Sequence, residues 1–283
     1  MTRPRSMTSS RTRLARQRSR LPLGGKTRGV ALVTGAARGI GRATVRRLSS
    51  EGFNVVAVDR GSDDPRLPYA MGTMAELQAL GNERVVAIPA DVCDAEALAG
   101  AVEIAERRWG GLDVVVAAAG VIAGGVPAWE LDAEQERAVL EVNLYGVLNA
   151  ARVGVPALLR RPQPRQGRFI AVASTAATRG LPMLAAYCAT KAGVTGLTRA
   201  LAVELGDTGV TANTVSPGST RTSMLDETAR LYGLDEGESF AKQHPTGRLL
   251  DPEEIAGLIA WLAGPESAGA TGADYPFDGG LAI

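Results

Sequence analysis

Short apolar runs alternate along this chain with longer stretches of helical periodicity. Val30–Thr34, Asn54–Asp59, Arg84–Val92, Asp113–Ala118, Arg168–Ala173, Val210–Val215 and a last run near Asp274–Phe277 are brief and mostly apolar, and all but the last are rich in Val, Ile or Ala. Runs of that length and make-up are expected as buried strands. Between them lie helical patterns: the stretch to Glu51, Thr73–Leu80, about Asp94 to Trp109, a helix from about Asp132, a long one ending near Leu205, and Pro252–Ala263. Strand and helix in steady alternation predict an α/β fold, a single Rossmann-like, doubly wound parallel sheet with helices on both faces. No repeat and no linker divides it, so residues 29–283 are expected to form one domain.

Two stretches break the rhythm. Gly61 to Gly81 places Ser-Asp-Asp-Pro-Arg-Leu-Pro-Tyr ahead of its short helix, where this architecture needs only a connection. It reads either as a surface insertion or as a flap over whatever binds beside the second strand. Residues 219–247 are polar, Gly-punctuated and only partly helical, as a lid would be.

Composition narrows the choice. At 283 residues and 45% hydrophobic content the chain suits one sizeable core. Two cysteines, Cys93 and Cys188, argue against a disulfide framework and favour a reducing cytoplasm. One histidine, His244, builds no metal site by itself. No apolar run is read as reaching the roughly 18 residues that span a bilayer, so neither a membrane nor, on the body's charge, a nucleic acid is expected as partner. Residues 1–28 carry eight Arg and Lys26 with no acid, leaving 22 basic against 30 acidic groups in the remainder. That tail is expected to be disordered by composition. A start assigned too far upstream, or a targeting or nucleic-acid arm, are the other readings of it.

Candidate chemistry falls at strand ends. Val30–Thr34 runs into Gly35-Ala-Ala-Arg38-Gly39-Ile40-Gly41 and then a helix, the context of a dinucleotide-binding turn. The glycines permit close backbone approach, and a helix N-terminus faces a pyrophosphate. Asp59 ends the second strand 18 residues after Gly41. A carboxylate there accepts from an adenosine ribose and repels a 2′-phosphate, which favours NAD over NADP. Arg60 argues the other way unless it lies over the adenine, and Asp91 ends the third strand near the expected adenine.

Tyr187 and Lys191 stand four apart, on one helix face. An ammonium about 4 Å from a phenol, at an effective dielectric near 20, favours phenolate by about 4 kcal/mol. That is roughly three pKa units, enough to bring Tyr187 to about 7, where general acid/base catalysis works best. Of the five tyrosines only Tyr187 has a Lys at this spacing. Ser174, thirteen residues earlier at a strand end, could hold a substrate oxygen against the phenol.

Together these motifs resemble the short-chain dehydrogenase/reductase family over about residues 28–283. The resemblance implies hydride transfer between an alcohol or ketone and NAD, with Tyr187 as acid/base, Lys191 lowering its pKa and bonding the nicotinamide ribose, and Ser174 positioning the substrate oxygen. Asn143 would hold a water of a proton relay, or be an ordinary helix amide. Asp91 and Val92 would lie at the adenine, Ala118 and Gly120 beside the cofactor, and Pro217, Gly218, Thr220 and Thr222 at the nicotinamide carboxamide. One departure is Ala117-Ala118-Ala119-Gly120, where the family usually has Asn-Asn-Ala-Gly.

More narrowly, the 61–81 insert, the triple Ala before Gly120-Val-Ile-Ala-Gly-Gly, and Pro217-Gly-Ser-Thr-Arg-Thr-Ser-Met are similar to the mycofactocin-dependent branch. That branch implies NAD held through turnover, with mycofactocin as external electron acceptor. An ordinary dehydrogenase with exchangeable NAD, and a dinucleotide-binding sensor without turnover, are the competing readings. Leu181, Met183 and Leu184, with Trp129, suggest an apolar substrate or simple packing. The resemblance also implies a homodimer or homotetramer, built on helices 132–160 and 183–205, whose Ala185, Ala186, Ala189, Ala192 and Gly193 suit helix contact or packing on the sheet.

Overall fold

The computed structural model describes residues 27–283, so most of the basic tail read at 1–28 lies outside the described residues. Seven strands form one parallel sheet: β1 (Val30–Thr34), β2 (Asn54–Asp59), β3 (Val85–Pro89), β4 (Val114–Ala117), β5 (Gly167–Val172), β6 (Val210–Pro217) and β7 (Asp274–Phe277). Their order is β3-β2-β1-β4-β5-β6-β7, with the chain reversing its direction of travel between β3 and β4. Apolar side chains cover both faces, and the strand pattern shows it, since β1 and β5 are buried at every residue.

Among the described residues there are eight α-helices: α1 (Gly39–Ser50), α2 (Met74–Gln78), α3 (Ala95–Trp109), α4 (Ala133–Leu140), α5 (Gly146–Leu159), α6 (Ala185–Glu204), α7 (Ser223–Leu231) and α8 (Pro252–Ala263). α3, α5 and α6 share the core that holds Val115, Phe169 and Leu98, while α1 and α8 cover the other face with Leu48 and Ile259. Several ends follow from local chemistry. Asp94 and Asp132 accept from the first-turn amides of α3 and α4, and Gly110 closes α3 in the left-handed region at φ 84°.

Three expectations change, and the expected helix from about Asp132 gains a π-turn. The third strand stops at Pro89, and Asp91 sits in the following turn, where its carboxylate accepts from Cys93 N at 2.9 Å. α4 and α5 are joined without a break by a π-turn, Glu141–Tyr145, that carries Asn143. The resulting helix, Ala133–Leu159, is long and apolar enough to cross a membrane by length and composition, contrary to the sequence estimate. More than half of its apolar window is nevertheless buried inside the fold, against α3, β4 and β5. Ala185, Ala189 and Ala192 are exposed on α6 and Gly193 faces Leu144, so these four do not pack onto the sheet, whereas Ala186 is partly buried against the core.

Candidate active site

The carboxyl ends of the strands open into one cavity of about 760 Å³. At its floor, β1 turns into α1 so tightly that a Cβ on Gly41 would lie 2.0 Å from Gly35 O, and Gly35 itself needs φ +67°. No side chain caps the first turn of α1 and no acid sits there, so its amides face the cavity without an acceptor. A pyrophosphate fits that requirement. Gly35, Arg38, Gly39, Ile40 and Gly41 all line the wall.

Asp59 ends β2 at the same wall, its carboxylate accepting from Ala37 N and Gly61 N, each at 3.0 Å. These bonds fix its orientation and leave lone pairs for ribose hydroxyls. Arg60 does not lie free over an adenine site. Its guanidinium sits 3.0 Å from Asp64 and 3.6 Å from Asp91. Arg38 donates to Ala70 O at 2.6 Å and lies over the Tyr69 ring. Both cations therefore serve the 61–81 insert.

The insert is tied down along its length. Asp64 is buried, and the Arg66 guanidinium beside it holds its carboxyl down at about 2. Arg66 reaches on to Glu141 at 2.5 Å, while Leu67 is buried in the core. Ser62, Met71 and Gly72 line the cavity next to Asp59. Leu77, read as part of a flap, instead belongs to the core beneath the sheet, and Pro68 is exposed.

At the other end, β5 delivers Ser174 and α6 delivers Tyr187 and Lys191 to one wall. Ser174 Oγ accepts from Ala176 N at 3.1 Å, and the Tyr187 hydroxyl donates to Met224 Sδ at 3.9 Å; the nearby Ser174 hydroxyl lowers the phenol pKa. Burial outweighs this: desolvation pushes Tyr187 up to about 12 and Lys191 down to about 8. The expected fall of Tyr187 to about 7 is not what the protein groups alone produce. Lys191 Nζ lies over the ring, 5.6 Å from its centroid, and donates to Val172 O at 2.9 Å. The ammonium thus addresses the aromatic face and a carbonyl, with desolvation dominating the oxygen.

Asn143 is fully buried and stands behind the cavity. Its Oδ1 accepts from Val121 N at 2.8 Å and its Nδ2 donates to Val121 O at 2.9 Å. Nδ2 also reaches Thr190 Oγ1 at 3.4 Å, so the side chain ties the segment after β4 to α6. Gly120 passes between Asn143 and Lys191, and Ala118, Gly120, Asp91 and Val92 all line the cavity.

Pro217, Gly218, Thr220 and Thr222 form the wall after β6. Thr222 caps α7, accepting from Leu225 N, and its methyl would stand 3.2 Å from a Cβ on Gly39, so the lid starts against the glycine turn. The lone histidine, which the sequence offered only as no metal ligand, holds this loop: buried His244 Nε2 accepts from Ser219 N at 3.3 Å. Burial keeps its pKa below the usual histidine value. Leu181 and Leu184 line the outer cavity with Tyr232 and Phe240. Trp129, at 85% exposure, and Met183 do not line it. Tyr69 was legible only as part of the insert, and the roles of His244 and Arg179, which donates to Leu281 O, carried no sequence signal, because the partners of all three are distant backbone atoms.

A family model described as enoyl-(acyl carrier protein) reductase matches residues 35–282. The short-chain reductase protein NovJ of Streptomyces niveus is 39% identical, over 89% of this chain and 93% of that protein. Cyclohexanol dehydrogenase of an Acinetobacter species is 36% identical, over 88% and 93%. The crystal structure of carveol dehydrogenase from Mycobacterium avium in complex with NAD superposes with TM-score 0.85 at 32% identity, covering 90% of this chain and 98% of that one. With the fold, the glycine turn and these relatives in agreement, the chain belongs to the short-chain dehydrogenase/reductase family, NAD-dependent enzymes that act on alcohol and carbonyl groups.

Proposed function

We propose that this protein oxidises an apolar alcohol, or reduces the matching ketone, with an NAD that stays bound between turnovers and passes its electrons on to mycofactocin. The observation that carries the reading is the insert, stapled by Arg60–Asp64–Arg66–Glu141 along the end of the cavity where Asp59 stands. NAD is preferred over NADP because a 2′-phosphate would meet Asp59, and the two nearby cations, Arg38 and Arg60, are already engaged. When bound, NAD supplies the hydride acceptor at its nicotinamide ring and a positive charge in this dry wall. The apolar outer cavity suits a secondary alcohol on a hydrocarbon skeleton. Free cysteines at Cys93 and Cys188 suit a reducing compartment.

The chain's own residues handle one proton. Ser174 holds the substrate oxygen against Tyr187, whose Oη takes the hydroxyl proton on oxidation and returns it on reduction. A phenol near 12 stays protonated at neutral pH, so alone these residues are set to donate to a carbonyl. Taking a proton from an alcohol needs added positive charge, which Lys191 and the oxidised cofactor provide together. From Tyr187 the relay continues along Lys191 and a water on the Asn143 backbone. The exposed face of the π-turn, α5 and α6, with Tyr145 and Val203 among its apolar residues, is the surface for pairing two copies.

Tyr187→Phe keeps the packing and removes the hydroxyl, so turnover falls roughly 10²-fold or more while NAD still binds. Steady-state rates and NAD titration check this, and near-normal turnover would sink the assignment.

Lys191→Met separates function from stability. The folded-state pKa of Lys191, about 8, lies below its ordinary 10.5. The unfolded chain then binds more protons across that window, so wild-type stability rises with pH there. Below pH 8 the buried charge costs about 3 kcal/mol, partly offset by its bond to Val172 O, worth about 1 kcal/mol. Nucleotide-free Lys191→Met is therefore more stable than wild type by about 2 kcal/mol at pH 7, although inactive. Urea unfolding at pH 7 and pH 10 shows the advantage shrinking, and no advantage at pH 7 would contradict it.

Light scattering at micromolar concentration gives a dimer or tetramer, and a monomer ends the pairing proposal. The test of the whole reading is retention of the cofactor. Purified protein carries NAD through gel filtration, reduces it once with substrate, and cycles only with a mycofactocin-type or artificial acceptor. Arg66→Gln, which cuts the staple to Glu141, restores exchange. Protein that emerges empty and cycles on added NAD is an ordinary exchangeable dehydrogenase instead.

A further inference from the structure

Residues 117–122, Ala-Ala-Ala-Gly-Val-Ile, leave β4 without a polar side chain of their own. The segment nevertheless forms the wall beside Lys191: Ala118 to Ile122 line the cavity, and a Cβ on Gly120 would stand 3.7 Å from Lys191 Nζ. Its backbone amides must find partners elsewhere. Ala118 N and Ala119 N donate to Thr34 Oγ1 at 3.1 and 3.2 Å, and Val121 N donates to Asn143 Oδ1. Ile122 N donates to the Tyr69 hydroxyl at 2.9 Å.

Thr34 and Asn143 belong to a central strand and a buried turn. Tyr69 comes from the insert. Its phenol is withdrawn from water and pushed up to about 12, so the oxygen stays a neutral acceptor. Its ring lies 5.9 Å beneath the Arg38 guanidinium, beside the glycine turn. A second tether converges on the same place. Arg66 bonds Glu141, the first residue of the π-turn whose Asn143 clamps Val121. The insert thus grips the wall once through Ile122 and once through the turn that supports it.

We infer that Tyr69 is a positioning residue, through which the insert over the dinucleotide end also sets the wall at the nicotinamide end. The inference rests on NAD occupying this cavity, and not on its slow release. Lifting the insert removes one support of residues 120–122 and loosens the backbone against which Lys191 and the nicotinamide are aligned. Closure of the insert and assembly of the reactive end are then one event.

The experiment uses the full chain saturated with NADH, as wild type, Tyr69→Phe and Arg66→Gln. Phe keeps the ring under Arg38 and removes only the acceptor. Hydrogen–deuterium exchange followed by mass spectrometry reads segments 118–124 and 61–72, and the emission of bound NADH reads the environment of its ring. In Tyr69→Phe, exchange at 118–124 rises about tenfold, exchange at 61–72 stays at the wild-type level, and NADH emission moves toward that of the free nucleotide. In Arg66→Gln, both segments loosen and the emission moves the same way. A purely space-filling Tyr69 would leave the emission unchanged, and that result overturns the inference. It is equally overturned if Arg66→Gln frees 61–72 while 118–124 stays protected. Rapid NADH release from wild type would instead refute slow exchange alone, leaving these comparisons readable.

Discussion

Lys191 carries its ammonium into the interior, where among the described residues its one hydrogen bond is to Val172 O. Desolvation there is the constraint around which the site is arranged. It depresses the amine and raises the phenol beneath it, so neither group is charged or uncharged by virtue of the other alone. Coulomb attraction across one helical turn is real, but the ammonium lies over the ring face and not beside the oxygen. A dry wall with no fixed anion among its described residues is one that a positively charged ring can tune. On the proposed reading, acid/base chemistry at Tyr187 would depend on the bound cofactor.

That wall is held by backbone contacts more than by side-chain pairs. Thr34, Asn143 and Tyr69 each bond amides of the segment leaving β4. His244 does the same service for the loop after β6 through Ser219 N. Small residues make such approaches possible, most plainly at Gly41, where any side chain would collide with Gly35 O. The insert extends this scheme with charge, since Asp64, buried between Arg60 and Arg66, turns a polar surface loop into a fixed cover. Exposed ion pairs contribute little, but a buried carboxylate bonded by guanidinium is expensive to separate.

Much of this fold can be seen in the order of residues. Strands buried on both faces announce themselves as unbroken apolar runs, and β1 and β2 begin and end at the predicted residues. Helix starts are local too, because Asp94 and Asp132 satisfy amides two and three positions away. The candidate site was legible for a related reason: a parallel sheet places the ends of its strands together, so Gly35, Asp59, Ser174 and Gly218 had to share one edge. The spacing of Tyr187 and Lys191 fixes them on one helix face.

The tertiary structure decided what depends on distance through space. Sequence spacing put an ammonium near a phenol, whereas burial determined which way both pKa values moved. The partners of Asn143, Tyr69 and His244 are backbone atoms 22, 53 and 25 residues away, and backbone carries no residue-specific signal. Trp129 and Met183 have the composition of a pocket lining yet face outward, because a loop's apolar residues have no period to reveal their side. Local propensity and the bounds of buried strands are written in neighbours along the chain. Desolvation, clamps and cavity walls arise only when segments distant in sequence are packed together.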